Sequence, residues 1–125
     1  MDKAKLTNIK WHSDAEEQDY PAAESYLSIL YDDERVAEMM AKFRNTPIVQ
    51  FRATDIFRAS QLSLLGISSS HVERDRKRIR KGKRLSPLLL VRDEHNGKVV
   101  IADGYHRLCA IYEFDENAWI HCKIV

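Results

Sequence analysis

The sequence predicts an α+β fold in one domain, a small mixed sheet packed with helices and preceded by an N-terminal helical hairpin. Two adjacent stretches before residue 45 repeat apolar residues at helical spacing. Short β-branched runs follow, two of them joined across Asn96-Gly97, a strong hairpin signal. A basic helical stretch and a strand–glycine–helix junction interleave with those runs, so strands and helices alternate unevenly, as in α+β folds. At 125 residues the chain suits a single domain whose core needs no disulfide or metal staple. We divide it into an arm and hairpin over 1–45 and a core over 46–125.

Residues 1–19 are polar and weakly patterned and read as an irregular arm, with Trp11 as its anchor. Pro21 suits the first turn of a helix over Ala22–Tyr31, where Tyr26, Leu27, Leu30 and Tyr31 recur at helical spacing. Asp32-Asp33 can cap a second helix over Glu34–Arg44, whose Val36, Met39, Met40 and Phe43 form one core stripe. The pair is expected to cover one side of the sheet.

Ile48–Arg52 reads as a short strand, and Thr54 or Asp55 can cap a helical turn through Ile56, Phe57 and Ala59. Leu62–Ile67 is apolar around Gly66, and Ser68–Ser70 is a cap-rich break. A helix is expected over His71–Lys81, stopping at Gly82, with Val72 and Ile79 on its buried side and the Arg76 stem between them. His71, Arg74 and Arg78 fall on another face. Leu88–Val91 reads as a strand buried on both faces, Lys98–Ala102 as its antiparallel partner, Tyr105–Phe114 as a helix and Ala118–Val125 as the last strand.

Composition excludes several classes. Hydrophobic content of 44% and charge of 31% suit an ordinary globular protein, and no apolar run approaches the ~20 residues of a membrane span. No membrane partner is expected, and the cytoplasm is the expected location. Cys109 and Cys122 lack the C-x-x-C spacing of redox or zinc motifs and are expected to be buried reduced thiols. The five histidines are scattered, so no metal site is indicated. A net charge of +1 makes no global case for nucleic acid. His71–Arg84 nevertheless carries eight Lys/Arg against Glu73 and Asp75. That run can face phosphates, although a solvated helix face more often explains one.

Ile101–Ile111, IADGYHRLCAI, is the stretch richest in chemistry. A helix start presents unpaired backbone N–H groups and a partial positive charge. Gly104 lets the backbone come close to a ligand, and His106 and Arg107 add donors in the same turn. Together these make an anion site, most naturally for phosphate. The competing reading is an ordinary strand-to-helix connection with a solvated Arg107.

Residues 48–125 resemble the ParB N-terminal/sulfiredoxin-like superfamily. The resemblance rests on Ile48–Arg52, the basic helix His71–Lys81, Ser86–Val91, Val99–Ala102, Gly104-Tyr-His-Arg107 and the closing Trp119–Val125, in that order. In the superfamily the Gly-x-[His/Arg]-Arg turn holds nucleotide phosphates and the basic helix faces the nucleotide. By position, the resemblance implies that Gly104, Tyr105, His106 and Arg107 contact the nucleotide, helped by His71, Arg74 and Arg78. It implies a nucleoside triphosphate, ATP or CTP, with Mg²⁺. Tyr105 stands where sulfiredoxins carry their reactive cysteine, and a phenol with a pKa near ~10 cannot replace a thiolate. Sulfiredoxin chemistry is not expected. Tyr105 also replaces the Glu of the partitioning proteins' Gly-Glu-Arg-Arg, and specific centromere binding and clamp formation are not expected.

Two functions compete. In the first, a triphosphate sits on the Gly104–Arg107 turn for nucleotide hydrolysis or phosphoryl transfer, which mainly needs positioning and charge neutralisation. Asp103 then binds the metal or orients a nucleophile, unless it merely opens the turn. His106 is a phosphate donor or proton shuttle, unless it pins the turn. Tyr105 is available to stack on a base, to bond a phosphate or to shield the turn. In the second, the same site serves a non-catalytic regulatory module binding a nucleotide, DNA or a protein partner. DNA is admitted but not favoured, and a homodimer is compatible with either. Nuclease action lacks the carboxylate cluster that metal-assisted cleavage needs.

Overall fold

The computed structural model describes residues 9–64 and 69–125. Five helices and a four-stranded mixed sheet make up its regular elements, an α+β architecture as the sequence predicts. The helical pair is α1, Asp19–Leu30, and α2, Asp33–Asn45. Pro21 lies in the first turn of α1, which begins three residues before the expected start. The cause is local: the Asp19 carboxylate accepts from the Glu16 amide at 3.1 Å while the Asp19 amide donates to the Glu16 carbonyl at 2.9 Å, closing a turn ahead of the helix. Asp32 caps α2 by accepting from the Arg35 amide at 2.9 Å.

Strand β1, Val49–Arg52, runs directly into α3, Ala53–Ser60. Neither Thr54 nor Asp55 caps this helix, since the amides of Ala53 and Thr54 donate to the carbonyls of Ala118 and Glu116, both at 2.9 Å. A tertiary contact thus replaces the side-chain cap expected there. The apolar stretch after α3 is described as far as Leu64, and Gly66 and Ile67 lie outside the described residues. Ser69 caps α4, Ser70–Arg80, by accepting from the Val72 amide. Strand β2, Leu88–Asp93, turns through residues 94–97 into β3, Lys98–Asp103. That loop is four residues long, with Gly97 at positive φ as its exit. Helix α5, Tyr105–Phe114, and strand β4, Trp119–Ile124, complete the order.

The sheet runs β1-β4-β2-β3, with β2 and β4 parallel at the centre and antiparallel pairs outside them. Leu89, Val91, Val100 and Ala102 face α1 and α2, packing on Ala23, Leu27 and Phe43. Leu88, Leu90, Ile101, Ile120 and Cys122 face α3 and α5, packing on Ile56, Leu108 and Ile111. Helix α4 lies outside α5, with Val72 against Cys109 and Ala110. The guanidinium of Arg76 covers the Phe114 ring at 4.6 Å and pairs with Glu113 at 3.1 Å, so its stem does lie on the buried side. The register of β2 on β3 shifts between Leu89 and Leu90, so that Ala102 is the extra residue just before Asp103. Both cysteines are buried, and burial pushes the Cys122 thiol up to about 12.

Candidate anion site at the start of α5

Gly104 precedes α5 with φ at +107°, in the region that L side chains rarely adopt. A Cβ there would lie 2.6 Å from Leu88 Cγ and 2.9 Å from Arg107 Nη2. Interior packing therefore fixes this glycine, and the close approach it permits is to Leu88 and Arg107. No side chain caps the helix, and the first intrahelical bond is donated by Leu108 to Gly104. The amides of Tyr105, His106 and Arg107 thus have no acceptor within the helix.

Two clusters flank this turn. On the α1 side, Arg107 Nη2 donates to Asp103 Oδ2 at 3.0 Å and to the Pro87 carbonyl at 3.4 Å. Burial pushes the Asp103 carboxyl up; Arg107 opposes that shift and neighbouring Asp19 adds to it. Asp19 is itself buried at the start of α1. Beside them the Ser86 hydroxyl donates to Glu16 at 2.8 Å, and that bond holds the Glu16 carboxyl below its ordinary range. The arm is thereby stitched to the core at the motif turn. Arg107 Nε is buried with no hydrogen-bond partner among the described residues.

On the α4 side, the His71 and His106 rings lie 4.8 Å apart, tilted by 39°. Arg74 Nη2 approaches His71 Nδ1 at 2.7 Å. A guanidinium only donates, so Nδ1 accepts and the proton of the neutral ring sits on Nε2. Asp75, 7% exposed, is within reach of the charges of Arg107, Arg78, Arg74 and His106, yet burial outweighs them and pushes its carboxyl up. His106 is held below its ordinary 6.5, first by burial and then by His71. The cationic face continues outward along α4 as a cavity of about 390 Å³ lined by Arg74, Lys77, Arg78, Lys81 and Lys83, with Glu73 an acid among them.

The structure thus brings His71 onto His106, with Arg74 held on His71 and Arg78 on Asp75. Tyr105 takes a different course. Its hydroxyl donates to the Ser63 carbonyl, its ring meets Phe57 edge-on at 6.5 Å, and burial pushes the phenol up to about 12. Asp103 is committed to Arg107 rather than open to solvent. No group of three His, Cys, Asp or Glu able to hold a metal occurs among the described residues. No helix among them is long and apolar enough to cross a membrane.

Sequence reasoning missed Asp75 as the carboxylate around which the α4 cations gather. Its place three residues before Arg78, inside a run of cations, was the available signal. It also missed Asp19, Glu16 and Ser86, which no local pattern links to Asp103. Comparison with protein-family models, with curated proteins and with solved structures returns no match.

Proposed function

We propose that the chain is a nucleotide-binding domain of the ParB/sulfiredoxin-like type, which takes the phosphates of a nucleoside triphosphate at the start of α5. The observation that carries the reading is the meeting of the His71 and His106 rings, 4.8 Å apart across the α4–α5 junction, with Arg74 on His71 and Arg78 on Asp75 beside them. Free helix-start amides supply further donors there. The α4 cations suit the outer phosphates, while Arg107, held by Asp103, keeps the turn in shape and lends the rest of its fork. Magnesium would arrive on the phosphates, as this ion usually does, since no group of three His, Cys, Asp or Glu among the described residues forms a cage for it.

A second reading, a regulatory module that binds without turnover, is favoured by the engagement of Asp103 with Arg107. His106 is then the residue on which the two readings part. Held largely neutral near pH 7, it suits a proton acceptor in hydrolysis, whereas binding alone needs no such group. The domain would work in the cytoplasm on either reading.

Calorimetric titration with ATP and CTP, with and without Mg²⁺, tests binding, and release of inorganic phosphate tests turnover. Arg78 is half exposed, so Arg78→Ala reads the ligand with little effect on the fold. It is expected to weaken triphosphate binding by about 1.5–3 kcal/mol, the worth of a charge-assisted bond. Equal affinities for the two proteins would remove the site.

A further inference from the structure

The sheet face that α1 and α2 cover is not covered along its whole width. On β4, Trp119, His121 and Lys123 alternate onto that face, and the register sets Arg52 and Gln50 of β1 beside Trp119 and His121. Lys123 is sealed beneath the hairpin, its Nζ 2.8 Å from the Asp14 carboxylate of the arm and 3.0 Å from both the Tyr20 hydroxyl and the Phe43 carbonyl. Beyond it the face opens. Trp119 is 50% exposed, with the Arg52 guanidinium 4.1 Å above its ring. The N-terminal arm lays Trp11 flat on His121, at 5.0 Å and 6° between planes, and Arg84 holds the Trp11 carbonyl at 3.1 Å. Trp11, His12, Ser13, Ile48, Arg84 and His121 line a cavity of about 610 Å³.

Two properties of this surface suit a ligand. Trp119 stays half in water at the end of β4. No carboxylate is among the residues lining the cavity: Glu16 stands behind His12, 3.8 Å from its Nε2, and Asp14 is turned to Lys123 Nζ at 2.8 Å. Packing alone would have been served by neutral side chains, whereas here guanidinium groups flank flat rings. Flat rings with guanidinium neighbours, the adjacent acids Glu16 and Asp14 being engaged by Ser86 and Lys123, match a ligand that is both aromatic and anionic. Positions two apart on a strand stand ~6.6 Å from each other, room for one base on Trp119 and a second against the Trp11 ring that covers His121.

We propose that this open sheet face binds single-stranded nucleic acid. Bases stack on Trp119 and against the Trp11–His121 pair, and Arg52 and Arg84 take the phosphates between them. Sheet-borne aromatic side chains serve single strands this way because every base offers a π-face. The surface shares no residue with the α4–α5 site, so it stands whether or not that site takes a triphosphate.

The chain has two tryptophans, and both lie on this face, so intrinsic emission reads it directly. The full chain is titrated with a ten-nucleotide oligothymidylate, an oligouridylate of equal length, a duplex of equal length and heparin. Both single strands, or either alone, are expected to quench the emission to saturation, while heparin and duplex leave it unchanged. Trp119→Ala, followed by anisotropy of a labelled strand, is expected to weaken binding about 5- to 140-fold, which is the 1–3 kcal/mol of one stacked base converted at 1.4 kcal/mol per decade. Trp119→Phe retains most of the affinity, Arg84→Ala flattens the salt dependence, and Arg58→Ala, which removes an exposed cation of α3 on the other side of the sheet, leaves strand binding unchanged. The proposal is overturned if neither strand binds, if heparin quenches equally, or if folded Trp119→Ala binds as the parent does.

Discussion

On the α1 side of the α5 start, Arg107 and Asp103 neutralise one another against Asp19 and the Pro87 carbonyl. On the α4 side, Arg78 pairs with the carboxylate of Asp75 at 3.7 Å, Arg74 and His106 add their charges to that of Arg107 around it, and His71 lies on His106. Both flanks use arginine and aspartate, but the Arg107 side chain is 15% exposed and that of Arg78 is 51%. The difference lies in pairing and burial: Arg107 is tied into the turn, and Arg78 stands half in water.

The largest test of that division concerns the turn itself. Gly104→Ala places a Cβ in a left-handed conformation, about 1–2 kcal/mol of strain, and drives it into Leu88, about 1–3 kcal/mol more. A loss of about 2–5 kcal/mol in urea denaturation is expected. A loss below about 1 kcal/mol would mean that the turn relaxes freely and that Leu88 does not dictate the glycine.

Removing the two arginines separates the flanks. Arg107→Ala leaves Asp103 buried beside Asp19 without its cation, and uptake of a proton only partly relieves this. A destabilisation of about 2–3 kcal/mol is expected, below the ~3–5 kcal/mol seen where no proton can compensate. Arg78→Ala, whose pair with Asp75 is long at 3.7 Å and half in water, should stay within about 1 kcal/mol. Denaturant midpoints for the two variants decide it, and equal losses would erase the distinction between a locking and a free cation.

The same contrast shows what the sequence could reveal. The turn from Asp103 into α5 is legible because strand end, glycine and helix start are neighbours in the chain. The α1–α2 hairpin is legible because Val36, Met39 and Phe43 carry the helical period that buries them. The missing cap of α3 is not legible, for its donors are satisfied by the Ala118 and Glu116 carbonyls far along the chain. The same holds for Glu16 on Ser86, Asp19 beside Asp103 and Trp11 on His121, where polar or flat side chains meet with no periodicity to announce them. Trp11 was legible as an anchor, but not the surface to which it is anchored.

A smaller effect is expected at the entry of α4. Ser69→Ala removes an acceptor that meets the Val72 amide at 3.5 Å, a long cap bond, so the loss should be about 0.5–1 kcal/mol. Hydrogen exchange of the first α4 amides reads it locally. If α4 delivers His71 and Arg74 as a rigid unit, triphosphate affinity should hardly change, and a large drop in affinity would make the α4 entry part of the site.

The subtlest test is the titration of His106. Burial and His71 hold it below 6.5, so the native protein binds this proton less readily than the unfolded chain does. Its contribution to stability is therefore complete above 6.5, falls as pH drops through 6.5, and levels off below the folded value. Asp75 and Asp103 work in the opposite sense at lower pH: their raised native values make protonation favour the fold as pH falls through them. An anion seated between α4 and α5 would reverse the His106 shift, because the charged ring would gain a partner. Followed by the NMR shift of its Cε1 proton, the His106 pKa should rise when triphosphate is added, and rise less in Arg78→Ala. A value that triphosphate leaves in place would set His106 apart from the ligand and return it to the role of pinning the turn.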